Sequence, residues 1–375
     1  MIERIHYKGF KSLRDVVFEP GRFAVIVGRN GSGKSTMLEG IRKMCMLAQP
    51  LPGEGRRVGG RPALVFDESQ FDAESFARQG HFQLTLTYPR HVLSVHANSK
   101  GVEDKRLFLT FDSNQVPATS SECKTRLDAA QGHIPTARYF RFAQDRLTAV
   151  ALPRSDTPEV EEDGYGVATV LSDLAGNARQ QFDLVLEDVK AIVPGVEDLR
   201  LPNAWTSVTE SELVRIGDDL LPRQTKRDVV GKSFELRLGK QGWIPAEMLS
   251  EGTVLALTLS TLIRSATRPR VLLIDDLERG LHPLAQQATV RRIQDALAAA
   301  SDLQVICTTH SPFVVDAAPP ESVFVTKVER ATGAASARRL IEHPEYEKWK
   351  DAMLPGEFWS SVGEDWIFED EAAAQ

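Results

Sequence analysis

Residues 28–36 read GRNGSGKST, directly after the apolar run FAVIV and directly before a helical pattern from Lys34 to about Met46. No other stretch limits the fold so tightly. Gly28, Gly33, Lys34 and Ser35 fill the fixed positions of a phosphate-binding loop. Glycines let successive backbone N–H groups turn inward toward phosphate oxygens. The helix start adds its positive end. Gly28, Arg29, Asn30, Gly31, Ser32, Gly33, Lys34, Ser35 and Thr36 are therefore candidate nucleotide contacts. Lys34 is expected to reach the β- and γ-phosphates, and Ser35 to hold Mg²⁺ through its hydroxyl. A strand, such a loop and a helix in succession imply an α/β fold.

A second stretch, VLLIDDLERGLHP at 271–283, runs an apolar strand into two adjacent carboxylates, Asp275 and Asp276. Like charges repel unless something positive lies beside them. An N-cap or a solvated turn explains such a pair in isolation. With a phosphate loop expected on the same sheet, Mg²⁺ held on ATP becomes the positive partner. Asp275 then suits the metal-holding position, and Asp276 suits the general base that polarises the attacking water. Residues 249–253 read LSEGT and open an apolar helical run. Ser250 and Gly252 there make either an anion site at a helix start or a plain N-cap. The next strand ends in CTTHSP, which carries His310.

Bulk properties narrow the setting. The chain has 375 residues, 42% hydrophobic and 26% charged, as soluble globular proteins do. No apolar run approaches the roughly 18–20 residues of a membrane span, and MIERIHYKGFKS lacks the apolar centre of a secretory signal. Cys45, Cys123 and Cys307 are isolated and match no metal-ligand spacing, which fits a reducing cytoplasm. A net charge of −7 argues against broad nucleic-acid binding without excluding a local basic patch. Arg56, Arg57 and Arg61 form either such a patch or a solvated Gly/Pro loop.

Along the chain, two or three strands are expected before residue 28, a mostly β region from 63 to about Phe111, and an exposed acidic loop at 154–164. Helices are expected around Val167–Leu174 and Phe182–Ile192, and strands at about Trp205–Arg215 and Ser233–Leu238. After Pro245 strand and helix alternate, which implies a parallel sheet. The α/β pieces at the two ends would share that sheet. Residues 1–50 and 243–375 then form a discontinuous core, and 51–242 a β-rich and helical insertion.

The phosphate loop, LSxG, hhhhDD and TTHSP, in that order, resemble the head of ABC-class ATPases. More narrowly they resemble the RecF/SMC-like, AAA-family standalone ATPases. These include the ATPase half of the OLD (overcoming-lysogenization-defect) family and the ATPases of bacterial anti-phage modules. GFKSLRDV before the loop, ERGLHP after the aspartates and the tail PGEFWSSVGEDW look characteristic of that branch. The resemblance implies a P-loop NTPase of ABC-head topology that uses ATP and Mg²⁺. It implies a homodimer or higher even oligomer in which two heads sandwich two ATPs. Ser250 and Gly252 would then meet the γ-phosphate bound by the second copy, and His310 would be a switch histidine. Lys11 and Ser12 match residues that lie near the nucleotide. For the nucleotide-contacting glutamine, Gln70, Gln79 and Gln83 are all candidates.

One departure stands out. Most such relatives carry Glu where this chain has Asp276. Asp is shorter by one C–C bond, about 1.5 Å, and a misplaced base slows chemistry. Slow turnover follows, with Glu278 either compensating or making a salt bridge or loop contact. Three functions compete. The first is an ATP-dependent switch that gates a separately encoded effector, a nuclease or toxin, in bacterial defence. The second is a RecF-like DNA-binding clamp. The third, an ABC transporter subunit, is opposed by the inserted middle, the FKS start and the LHP motif. After residue 320 too little sequence remains for the nuclease domain of the OLD family, so Glu357, Glu364, Asp365, Glu369 and Asp370 are expected in a solvated or partner-facing tail.

Overall fold

The structure, a computed structural model, describes residues 1–46, 57–58, 61–62, 81–88, 91–99, 105–112, 114–117, 121–122, 125–126, 134–153, 157–216 and 219–368. The chain opens with β1 (Arg4–Phe10), β2 (Leu13–Phe18) and β3 (Phe23–Val27), and the glycine-rich loop then leads into α1 (Lys34–Met46). The short strands β4 (Arg57–Val58) and β5 (Arg61–Pro62) pair with each other. Next come β6 (His81–Tyr88), β7 (His91–Ser99), β8 (Lys105–Phe111), β9 (Asn114–Pro117) and β10 (Ala137–Phe140). The middle holds α2 (Gln144–Leu147), α3 (Val167–Asn177), α4 (Arg179–Ile192), β11 (Val196–Arg200), β12 (Asn203–Ile216), β13 (Asp219–Lys232), β14 (Glu235–Leu238), β15 (Gly242–Pro245) and α5 (Glu251–Arg264). The last part is β16 (Val271–Ile274), α6 (Pro283–Ala299), β17 (Gln304–Thr309), α7 (Pro312–Ala317), β18 (Val323–Val328), β19 (Ala335–Arg339), α8 (Tyr346–Trp349) and α9 (Pro355–Val362).

Twelve strands form one mixed sheet, in the order β10-β16-β17-β3-β18-β19-β2-β1-β6-β7-β8-β9. The first five are mutually parallel. FAVIV, VLLI and QVICTT among them are buried at every position, as strands covered on both faces must be. From β2 through β9 the neighbours run antiparallel. β1 alternates, burying Ile5, Tyr7 and Phe10. α1 lies close on β1 because residue 40 is glycine: a Cβ there would sit 2.5 Å from Tyr7 Cε1. The Tyr7 hydroxyl then donates to the Met37 carbonyl at 2.8 Å. As expected from the sequence, strands from both ends of the chain share the sheet, with β3 between β17 and β18.

The chain divides into two compact units, 1–140 with 269–279 and 286–375, and 141–268 with 280–285. These boundaries differ from the expected segments, 1–50 with 243–375 against 51–242. The reason is hydrogen bonding: β6 pairs with β1, so the meander β6–β9 extends the first unit's own sheet. β10 likewise joins that sheet beside β16. The second unit holds a three-stranded sheet, β11-β14-β15, and the hairpin β12–β13. β13, DLLPRQTKRDVVGK, was not anticipated. It has no period-2 apolar pattern, and its partner β12 supplies the ladder over all fourteen residues. Among the described residues no helix is long and apolar enough to cross a membrane. Cys45 and Cys307 are buried free thiols, and burial pushes Cys45 up to about 12. Cys123 and Arg56 lie outside the described residues, as do Gln70 and Gln79.

Inside the second unit, α4 and α5 are stapled by a bidentate pair. Arg264 Nε donates to Asp188 Oδ2 at 2.7 Å and Nη2 to Oδ1 at 3.0 Å. The two side chains are only 9% and 2% exposed. Removing one member of such a pair strands a buried charge and costs about 3–5 kcal/mol. Asp188→Ala is therefore expected to lower unfolding stability by that order in a urea titration. The double variant Asp188→Leu with Arg264→Met should recover most of it.

Candidate functional site

Three loops leave the same edge of the parallel strands: the glycine loop after β3, Asp275–Asp276 after β16, and His310 after β17. Ligand sites in open α/β sheets lie at the carboxyl ends of strands. The glycine loop is shaped by close neighbours. Gly28 has φ +150, and a Cβ there would sit 2.4 Å from the Thr326 carbonyl on β18. Gly33 has φ +98, with Ala335 and Ser12 packed where its side chain would be. Thr326 Oγ1 donates to the Val27 carbonyl at 2.9 Å and meets Ser32 Oγ at 2.6 Å. The Ser32 hydroxyl thus ties the loop to β18. Arg29, Asn30, Gly31 and Ser35 are exposed, and Thr36 is half-buried in the first turn of α1.

Lys34 is buried, and its Nζ donates across the loop to the carbonyls of Gly28 at 2.9 Å and Arg29 at 3.0 Å. Burial lowers its pKa, opposed by the nearby charges of Asp276, Asp275, Glu278 and Glu364. Lys11 has a left-handed backbone (φ 52), and its ammonium pairs with Glu39 on α1. Ser12 instead packs against the glycine loop beside Gly33.

Asp275 is buried at the end of β16, and three hydroxyls converge on its carboxylate. Ser35 Oγ lies 3.2 Å from both oxygens. Tyr139 on β10 donates to Oδ2 at 2.6 Å, and Thr308 on β17 donates to Oδ1 at 2.6 Å. Strand register brings these groups together, since Phe140 and Cys307 both align with Ile274. Thr308 Oγ1 also accepts the Asp276 backbone N–H at 2.9 Å. Asp276 sits at φ 55, a left-handed conformation that Asp tolerates better than most residues. Its carboxyl pKa is raised by burial first, then by Asp275 and Glu278, with His310 and Lys34 opposing.

Glu278 is occupied elsewhere. One oxygen accepts the Thr309 hydroxyl at 2.7 Å and the other accepts the His310 backbone N–H at 2.8 Å. Of the two roles open to Glu278, this geometry favours the loop contact. It fixes the turn after β17 and leaves the His310 side chain exposed. Tyr139, Thr308 and Thr326 had no role in the sequence reading. Gln83 lies on β6 and donates to Thr85 Oγ1 at 3.1 Å.

Ser250 belongs to the second compact unit and caps α5. Its Oγ accepts the Thr253 N–H at 3.3 Å and meets Thr253 Oγ1 at 2.8 Å. Gly252 is required by packing, because a Cβ there would stand 2.3 Å from the Gly280 carbonyl in ERGLHP. LSEGT and the Gly280–Leu281 part of ERGLHP are thus pressed together within the second unit.

The tail departs from expectation at one residue. Glu357 and Asp365 are exposed, and Glu369 and Asp370 lie outside the described residues, but Glu364 is buried beside Arg29.

Comparison with known proteins places this geometry. The chain is similar to an SMC head solved bound to the C-winged helix domain of ScpA, with a TM-score of 0.56 and 15% identity, covering 90% of this chain and 97% of that one. It is also similar to an Smc head with an extended coiled coil, bound to the C-terminal domain of ScpA derived from Pyrococcus furiosus. There the TM-score is 0.50 and identity 12%, over 90% and 95% of the two chains. These likenesses show the fold of an ABC/SMC-like head. No curated protein matches the sequence. A family model described as "AAA domain, putative AbiEii toxin, Type IV TA system" matches residues 23–316, from β3 through the aspartate pair and past His310. The chain belongs to that AAA family.

Proposed function

We propose that this chain binds ATP with Mg²⁺ and hydrolyses it slowly, as a dimerising switch. Two copies close over two nucleotides and reopen after hydrolysis, gating a separately encoded effector, a nuclease or toxin, in a cytoplasmic anti-phage module of bacteria. The observation that carries the reading is the meeting of Ser35 Oγ with both Asp275 oxygens at 3.2 Å, at the foot of the glycine loop. A hydroxyl and one carboxylate suit Mg²⁺, which takes few protein oxygens and completes its shell with phosphates and water. Among the described residues no group of three or more His, Cys, Asp and Glu gathers as a site for another metal. Mg²⁺, when bound, supplies positive charge at the β- and γ-phosphate oxygens.

The chain's own groups divide the remaining work. Lys34 already lies across the loop and exchanges carbonyl partners for phosphate oxygens. Ser35 and Asp275 hold the metal, while Tyr139 and Thr308 fix the orientation of Asp275. Asp276, with its raised pKa, orients the attacking water and takes its proton. His310, held by its backbone to Glu278, senses the γ-phosphate. Ser250 and the first turn of α5 meet the triphosphate of the other copy. The family description names a type IV TA system, which accords with a partner encoded separately.

Lys34→Ala is expected to abolish ATP binding or hydrolysis. Ser250→Arg should leave binding by the monomer intact and block ATP-driven dimerisation. Sedimentation with and without ATP reads both, and normal dimerisation of the Ser250 variant would contradict the sandwich.

Asp276→Glu extends the base by about 1.5 Å. Steady-state hydrolysis should rise, while the left-handed backbone costs the variant about 1 kcal/mol of stability. A rate at or below wild type removes the short-base explanation of slow turnover.

Tyr139→Phe deletes one hydrogen bond to the metal-holding carboxylate, worth about 1.5 kcal/mol. Roughly tenfold more Mg²⁺ should be needed to saturate nucleotide binding, read by titrating Mg²⁺ at fixed ATP without reference to turnover.

A further inference from the structure

The tail PGEFWSSVGEDW joins the two ends of the candidate site. At its start, the Gly356 N–H donates to Asp316 Oδ1 at 2.7 Å. A Cβ on Gly356 would stand 2.1 Å from the Pro312 carbonyl, so α9 lies directly on α7, the helix after His310. At its finish, α9 stops at Gly363 (φ +68), and the next residue, Glu364, lies against the glycine loop. Glu364 Oε2 lies 3.4 Å from Arg29 Nε as an ion pair, and the Arg29 side chain and backbone both lower the pKa of that carboxylate. The Glu364 side chain is 8% exposed while that of Arg29 is 77% exposed.

The apolar residues of the next turn, Asp365–Phe368, anchor this placement. Trp366 and Ile367 are buried, and the Trp366 ring meets His343 edge-on at 5.1 Å. Lys327 pairs with Asp365 at 2.7 Å. Burying a carboxylate is unfavourable unless it is paired and hydrogen-bonded. Burial raises the pKa of Glu364, and Arg29, Lys34 and Lys327 pull it back. The Arg29 residue that Glu364 grips is also the one whose carbonyl receives Lys34 Nζ at 3.0 Å. A line of contacts therefore runs from the tail carboxylate, through Arg29, to the loop lysine.

We infer that Glu364 is a positioning residue for nucleotide binding: by holding Arg29 from outside, it presets the phosphate loop and the resting place of Lys34. The inference rests on the nucleotide-binding reading above. A loop already held in its bound shape loses less order on binding, and the effect falls equally on ground state and transition state. Affinity should therefore change without kcat.

The test compares full-length wild type with Glu364→Ala, Glu364→Asp and Glu364→Gln. Affinity for Mg·ATP and Mg·ADP is measured by calorimetry, and KM and kcat by steady-state hydrolysis. Ala removes the acceptor, and Asp withdraws it by about 1.5 Å. Both should bind the two nucleotides about tenfold more weakly, the order of one lost charge-assisted hydrogen bond. KM should rise by the same factor with kcat within about twofold of wild type. Gln keeps an acceptor in place and should stay within about threefold of wild type. Asp365→Asn cuts the exposed pair with Lys327 next door and should change nothing. If the Ala variant does not fold, the Asp and Gln variants decide. Wild-type affinity in the Asp variant, tighter binding by the Ala or Gln variant, or an equal loss in Asp365→Asn overturns the assignment. Failure of wild type to bind either nucleotide instead sinks the reading beneath it.

Discussion

A buried carboxylate held by hydroxyl groups governs this site. Asp275 stands at the end of an apolar strand, where an ionised group is costly unless its oxygens are satisfied. Ser35, Tyr139 and Thr308 satisfy them, each from a different element. That arrangement exists only because β10, β16 and β17 are parallel neighbours whose ends finish level, with α1 starting nearby. Thr308 does two jobs with one oxygen. It donates to Asp275 and accepts from the Asp276 backbone, so the spacing of the two acids is fixed by a residue on the adjacent strand.

A similar economy runs through the glycine loop. Its inward face is left to backbone and Lys34, while its outward face is bound on several sides. Thr326 takes Ser32, Ala335 and Ser12 crowd Gly33, and Glu364 takes Arg29. All but Ser12 of these outer partners come from the last fifty residues of the chain. Loop shape is thus a property of the whole first unit rather than of the GRNGSGKST segment.

This explains what could be read from sequence. The strand–loop–helix, the apolar strand before Asp275 and the helix behind Ser250 were legible because each is written in contiguous residues of one period. The union of both chain ends in one sheet followed from strand and helix alternating at each end. Tyr139 and Glu364 were not legible. Tyr139 reaches Asp275 across 136 residues through strand register, and nothing in ARYF marks its hydroxyl. Glu364 resembled its acidic neighbours in the tail, and nothing in GEDW marks Glu364 as buried and Asp365 as exposed. The expected division at residue 51 failed to anticipate the meander because alternation in HFQLTLTY shows a strand but not its partner. Lys11 matches by resemblance a residue that lies near the nucleotide, and its pairing with Glu39 was not legible in the sequence.

The interleaving of β3 between β17 and β18 also sets a timetable for synthesis. β3 is wholly apolar, and both its neighbours lie about 280 residues or more downstream, so at ~5–20 residues per second it waits roughly 15–55 s for a partner on the ribosome. During that interval the nascent chain displays the kind of sticky, low-charge segment that chaperones capture. Completion of the sheet that carries the candidate site is therefore a late event in synthesis, and truncated translation products of this chain are expected to aggregate rather than to accumulate as folded fragments.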